Sequence, residues 1–341
     1  MSDARADESL WLIGAGPMAR EYARVLSALG KEFSVIGRSE ASAAAFEESV
    51  GVPVQRGGLL SALSESIPPG VAIVAVGIDQ LATTASALVE AGTQRVLVEK
   101  PAGLNSGEIR ALLMTADQMG ADVLVAYNRR FFSSVAAARK MIEDDGGVRS
   151  CLFEVTEHAG KIAKLDKPHE VKAVWFLANT SHVVDLVISL CGLPVELSTQ
   201  TGGSLPWHPV ASRFTGSGLT ESGITFSYHG DWEAPGRWGV EMCTRERRLV
   251  FRPMEELHMI VRGSETMERV DIDDRLDREF KPGLYRLTKA FLARDDRLLC
   301  HIREHVDNCR IYDRMAGYEG SVEPTGDHMG QPAEIGIPER G

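Results

Sequence analysis

The chain has 341 residues, 44% of them apolar and 25% charged, which suits a globular protein of one large or two ordinary domains with a sizeable core. Its 37 basic residues against 48 acidic ones leave a net charge of −11. That balance argues against nucleic acid or an anionic membrane as the main partner, since both are bound through basic surface, while a small anionic ligand needs only a local cluster.

Along residues 9–127 short apolar runs alternate with helical patterns. Leu10–Ile13, Phe33–Ile36, Val71–Val76, Val96–Val98 and Val123–Ala126 read as strands. Between them, Met18, Tyr22, Val25, Leu26 and Leu29 share one helix face, Leu81, Ala85, Leu88 and Val89 a second, and Ile109, Leu112, Leu113, Ala116 and Met119 a third that Asn105 caps. Strand–helix alternation of this period means βαβ units on a parallel, doubly wound sheet. After a helix from Ser133 to about Asp144 the texture turns to strands: Ser150–Glu157, Ile224–His229, Val240–Cys243, Leu249–Phe251 and Leu257–Val261. Ala178–Leu190 is an amphipathic helix set among them, and Gly283–Ala293 and Leu299–Met315 are two closing helices. From Glu319 the Gly-, Pro- and acid-rich tail has no period and is expected to be disordered. Five scattered cysteines without a CxxC pair, an N-terminus without an apolar core, and no run near the ~18 apolar residues of a membrane span point to a cytoplasmic protein.

Five segments carry chemistry. Gly14-Ala15-Gly16-Pro17-Met18-Ala19 follows the first strand and opens the first helix, as a pyrophosphate-binding GxGxxA turn does: the first Gly permits the turn, the second lets backbone approach the phosphates, and Ala19 allows close helix–strand contact. The second strand ends Ile36-Gly37-Arg38-Ser39, with Gly, Arg and Ser where an NAD site carries a carboxylate, so NADP(H) is favoured over NAD(H). Val96-Leu97-Val98-Glu99-Lys100-Pro101 ends a buried strand on a lysine at the carboxyl edge of the sheet, where it can be desolvated, donate hydrogen bonds and move protons. Tyr127-Asn128-Arg129-Arg130-Phe131 ends the next strand. Its amide and arginines could hold a sugar or phosphate, and pairing of Arg130 with acids at the domain junction is an equal alternative. Finally, Asn179-Thr180-Ser181-His182-Val183-Val184-Asp185 places His182 and Asp185 three apart on one helix face.

In order and spacing these motifs resemble the glucose–fructose oxidoreductase / inositol dehydrogenase / MocA (Gfo/Idh/MocA) family over about residues 9–315. The resemblance implies an α/β fold: a Rossmann domain over 1–127, then an α+β substrate and oligomerisation domain over 128–318 with a large, mostly antiparallel open sheet, and the tail at 319–341. It implies that Lys100 hydrogen-bonds the reacting hydroxyl, with a cis bond before Pro101, that His182 is the acid/base, and that Asp185 accepts from a substrate hydroxyl. Gly14, Gly16, Pro17, Met18, Arg38, Ser39, Glu99 and Trp175 would contact the cofactor, Trp175 as the aromatic near the nicotinamide, and Asn128, Arg129 and Asn179 the substrate. The expected activity is hydride transfer between a nicotinamide and a secondary alcohol or ketone of a sugar, inositol or nucleotide-sugar, in a homodimer or homotetramer.

The sequence departs from the family pattern in three places. The Asp usual four residues before the catalytic His is Ala178, the Gly-rich lead-in is Lys172-Ala-Val-Trp-Phe-Leu, and the Thr-Pro-Asn after the fourth strand is Gly77-Ile78-Asp79. These departures keep two alternatives in view, a family variant that cleaves glycosides with a retained NAD and a cofactor-binding regulatory protein with a reduced site. No metal is expected. His301, His305 and Cys309 lack a fourth ligand on an ordinary helix, and the Asp271 cluster lacks the Gly and Glu of a calcium loop.

Overall fold

The computed structural model describes residues 9–318; the tail and the first eight residues lie outside the described residues. The N-terminal part runs β1 (Leu10–Ile13), α1 (Pro17–Ala28), β2 (Ser34–Ile36), α2 (Glu40–Val50), β3 (Val54–Gln55), α3 (Gly58–Glu65), β4 (Val71–Val74), α4 (Leu81–Glu90), β5 (Arg95–Glu99), α5 (Ser106–Met119) and β6 (Asp122–Ala126). These six strands pair in parallel in the order β6-β5-β4-β1-β2-β3. Leu12, Ile73, Leu97 and Leu124 are buried with the helices on one face, and Val74, Val96, Val98 and Val125 on the other, which is why the strands read as continuous apolar runs.

The second part begins with α6 (Ser133–Asp144), β7 (Ser150–Glu154), α7 (Ala159–Ala163) and α8 (His169–Ala173). A π-helical turn, Phe176–Thr180, leads directly into α9 (Ser181–Cys191). Then come β8 (Pro194–Gly202), β9 (Arg213–Thr220), β10 (Thr225–Asp231), β11 (Gly239–Cys243), β12 (Arg247–Phe251), β13 (His258–Val261) and β14 (Glu268–Arg269). They form an eight-stranded sheet, β14-β13-β12-β11-β7-β10-β9-β8, antiparallel except where β7 and β10 run side by side. α9 packs on its inner face, with Val184, Val187 and Ile188 in the same cluster as Phe153, Phe226 and Met242.

The chain then returns to the first sheet. After α10 (Arg275–Glu279), α11 (Leu284–Leu292) lays Leu284, Leu287 and Phe291 into the core that contains Leu12 and Leu26. β15 (Cys300–His301) adds an antiparallel edge beside β6, and α12 (Ile302–Ala316) packs on α5. Among the described residues no helix is long and apolar enough to cross a membrane.

Candidate active site

The turn between β1 and α1 is shaped by two glycines with different jobs. Gly14 has φ +116°, and a Cβ there would run into the Ala75 carbonyl of the neighbouring strand. A Cβ on Gly16 would meet nothing within 4 Å, so the space over the helix start is free for a ligand to approach backbone. α1 carries no side-chain cap and no acid in its first turn, and Pro17 removes one N–H that would be unpaired anyway. Twelve residues of aligned peptide dipoles therefore end on free donors with no competing negative charge. That geometry fits a dinucleotide pyrophosphate. At the end of β2, Gly37 is a glycine because β3 crosses closely: a Cβ would lie 2.7 Å from Val54 Cγ1. Arg38 and Ser39 follow, both exposed. Ser39 accepts from the Ser42 amide at 3.4 Å to cap α2, and Arg38 has no ion-pair partner among the described residues.

A cavity of about 310 Å³ opens beyond the carboxyl ends of β5 and β6, where ligands bind in open α/β sheets. Met18, Glu99, Lys100, Arg129, Asn179 and His182, all singled out from the sequence, border it, and Met18 joins it to the phosphate-binding turn. The Lys100–Pro101 peptide is cis, as the resemblance implies. Tyr22 Oη donates to Glu99 Oε1 at 2.8 Å, and Lys100 Nζ donates to the Ala178 carbonyl at 2.6 Å. Burial pushes the Lys100 pKa down to about 8 against the opposing pull of Glu99. His182 is buried on α9, edge-on to Tyr127 at 5.8 Å between ring centres, and its Nδ1 has no hydrogen-bond partner among the described residues. Burial first, then the charges of Arg129, Lys100 and Lys281, hold its pKa well below the usual histidine range, so the imidazole is neutral.

Three of the expected contacts fall differently. Asp185, fully buried one turn further along α9, is brought to Arg130 rather than to the cavity wall: its two oxygens accept from Arg130 Nε at 2.8 Å and Nη2 at 2.6 Å. Arg130 also reaches Glu304 at 2.6 Å, so the alternative reading of this arginine, pairing with acids at the junction, is the one observed. Trp175 does not border the cavity. It packs edge-on against Trp207 at 6.4 Å, and Asn179, at the end of the π-helical turn that follows it, borders the cavity. Asn128 also borders the cavity, yet its amide donates to the Pro282 carbonyl at 2.9 Å and so fastens the 281–283 turn.

Sequence reasoning missed Glu157, Glu255 and Lys281. Glu157, just past β7, is buried and accepts at Oε1 from Asn179 Nδ2 and Thr180 Oγ1, both at 2.9 Å. Desolvation raises its pKa, and its charge acts on Lys100. The carboxylate absent at Ala178 is thus present nearby in space, delivered by another element. Lys281 and Glu255 border the cavity from loops far along the chain. The Lys281-Pro282-Gly283 turn was the available signal: Gly283 has φ +73° and a Cβ there would collide with the Asn128 carbonyl. Of the residues at metal-like spacing, His305 Nε2 meets the Pro101 carbonyl at 2.8 Å, while His301 Nδ1 faces Asp122 at 3.4 Å.

Residues 10–127 match the model of the GFO_IDH_MocA oxidoreductase family, NAD-binding Rossmann fold. No curated protein matches the sequence. Solved structures share the fold across almost the whole chain. UDP-N-acetylglucosamine 3-dehydrogenase GnnA from Acidithiobacillus ferrooxidans is 17% identical with a TM-score of 0.71, covering 91% of this chain and 96% of its own. An oxidoreductase from Agrobacterium radiobacter, solved with NAD+, L-tartaric acid and magnesium, is 12% identical with a TM-score of 0.72, covering 90% and 94%. The WlbA dehydrogenase from Chromobacterium violaceum, solved with NADH and UDP-GlcNAcA, is 16% identical with a TM-score of 0.68, covering 92% and 93%. The family match thus covers the Rossmann part of the chain, and the likeness of the whole chain to these solved structures is one of fold.

Proposed function

We propose that the chain is an NAD(P)-dependent dehydrogenase or reductase acting on a secondary alcohol or ketone of a sugar-like molecule. The observation that supports this most is the convergence of Lys100 and His182 on one cavity that Met18 joins to an uncapped helix N-terminus. Sugar and nucleotide-sugar dehydrogenases among the structural relatives point the same way. The bound nicotinamide supplies the hydride acceptor or donor. Lys100, with a pKa near 8, takes the hydroxyl proton as free amine during oxidation and returns it as ammonium during reduction. His182 offers a neutral ring to the same oxygen, orienting it without adding charge. Glu157 holds Asn179 at the wall, and Arg130 with Asp185 holds α9 against the turn that follows β6, so these act by positioning.

The free Arg38 beside Gly37 favours NADP(H), whose 2′-phosphate a guanidinium binds in a fork. A symmetric homodimer or homotetramer is the expected assembly. Lys100→Met should lower kcat by about 10²–10⁴-fold, the usual worth of a positioned proton carrier, while leaving cofactor affinity within about threefold. Turnover of the true substrate at near wild-type rate by that variant would remove Lys100 from the chemistry.

A further inference from the structure

We propose that the molecule acted on carries an anionic group, a carboxylate in the first place, that Arg129 and Lys281 hold at the cavity. This rests on the dehydrogenase reading above and narrows its substrate class. Lys100, Arg129 and Lys281 border the cavity, and after burial the causes that hold His182 low are these three cations with no carboxylate among them. The two buried arginines among the described residues are neutralised: Arg95 pairs with Asp122 and Asp296, and Arg130 with Asp185 and Glu304. Arg129, partly buried, is not paired in this way. It has no ion pair among the described residues, its Nε lacks any partner, and its fork makes one long contact, 3.4 Å to Asn128 Oδ1.

Arg129 is nonetheless held in place. Its Cζ lies 4.7 Å from the ring centre of Trp238 and 5.8 Å from that of Phe132, so aromatic surfaces fix the guanidinium while its donors stay free. A planar, pre-oriented fork matches a carboxylate with two parallel hydrogen bonds. Lys281 stands exposed at the end of the turn that Asn128 fastens, adding a point charge at the same opening. Of the acids on the cavity wall, Glu99 is bonded by Tyr22, and the exposed Glu255 supports the Arg129 charge from a distance without forming an ion pair with it. A neutral polyol would leave the Arg129 charge desolvated and unpaired, which is costly. Burial already lowers its pKa to about 10. The cavity of about 310 Å³, at the small end of ligand sites, suits one ring or one open-chain sugar acid.

The test is calorimetric titration of the cofactor-loaded full chain with matched compounds: D-glucuronate against D-glucose, D-gluconate against sorbitol, and glucose 6-phosphate as the phosphate source of the same anionic chemistry. At least one acid should bind tenfold or more tightly than its neutral counterpart, and less so at high salt. Arg129→Gln should erase that ratio, and Lys281→Gln, at an exposed site that leaves folding intact, should reduce it. Equal binding within every pair, or an acid preference that survives both substitutions, would overturn the inference. Preference for the phosphate ester alone would keep the anion site and overturn the carboxylate assignment. If an acid binds selectively yet no compound changes the absorbance of the nicotinamide, the dehydrogenase reading fails while the anion site stands.

Discussion

Two influences set the chemistry of Lys100 in opposite senses. Its surroundings desolvate the ammonium, and Glu99 beside it favours the charge, leaving the pKa at about 8. Proton uptake from an alcohol needs the free amine, so kcat/KM for oxidation should rise as pH climbs through about 8, and for ketone reduction, which needs the ammonium, it should fall through the same range. A profile flat from pH 7 to about 9 in both directions would assign the proton to another group. Deeper in the site, Arg130→Met should destabilise the protein by about 3–5 kcal/mol, since it strands the buried Asp185 carboxylate; a change under about 1 kcal/mol in chemical denaturation would show that the pair is not what holds α9. Lys100 and His182 were legible in the sequence because each lies at an element terminus whose own pattern places it. Glu157, Glu255 and Lys281 were not: Glu157 meets Asn179 across 22 positions and the Lys281–Pro282 turn meets Asn128 across 154, pairings that no local pattern encodes, and Glu255 sits in a loop with no periodic signal.

At the scale of elements, the strand of continuous Val, Ile and Leu and the amphipathic helix carry their own signal, and β1, β4, β5, β6, α1 and α5 were read almost to their ends. β8 and β9 were missed, and the physical reason is visible at Gly216 and Gly218. A Cβ at Gly218 would lie 2.6 Å from the Phe226 ring, and one at Gly216 equally close to Tyr228, so β9 gives up its side chains to seat aromatic rings of β10 and looks like a turn in sequence. α2 escaped notice because only Ala43 and Phe46 are buried along it. The turn before α1 separates fold from ligand cleanly. Gly14→Ala should lower the stability of the unliganded protein, because it combines positive φ with a clash against Ala75. Gly16→Ala should leave that stability nearly unchanged and weaken cofactor binding, because its methyl enters only the ligand's space. Thermal unfolding with and without cofactor reads both, and equal cofactor affinity in wild type and Gly16→Ala would place the phosphates elsewhere.

Across the whole molecule, the second part of the chain completes the first. α11, the residue Leu299 and β15, far beyond β6 in the chain, return to the N-terminal part: Leu287, Phe291 and Leu299 join its core, and β15 forms the last edge of its sheet. A fragment ending at residue 127 should therefore unfold at lower temperature and with less cooperativity than the full chain; an equal Tm would show that the returning elements only decorate an independent domain. The two-part organisation was legible from the change of texture after about Asp144, whereas the return was hidden because two residues of β15 are too few to show a period. All of this architecture serves one claim, that the free N-terminus of α1 and the Lys100–His182 cavity together hold a nicotinamide dinucleotide. The direct measurement is a thermal-unfolding titration of the purified chain with NADP+, NADPH, NAD+ and NADH, paired with assay of any nucleotide released on denaturation. A saturable rise in Tm, larger for the NADP pair, is the expected result, because a ligand bound only by the native state stabilises it. No rise with any of the four, and no nucleotide released, would contradict it.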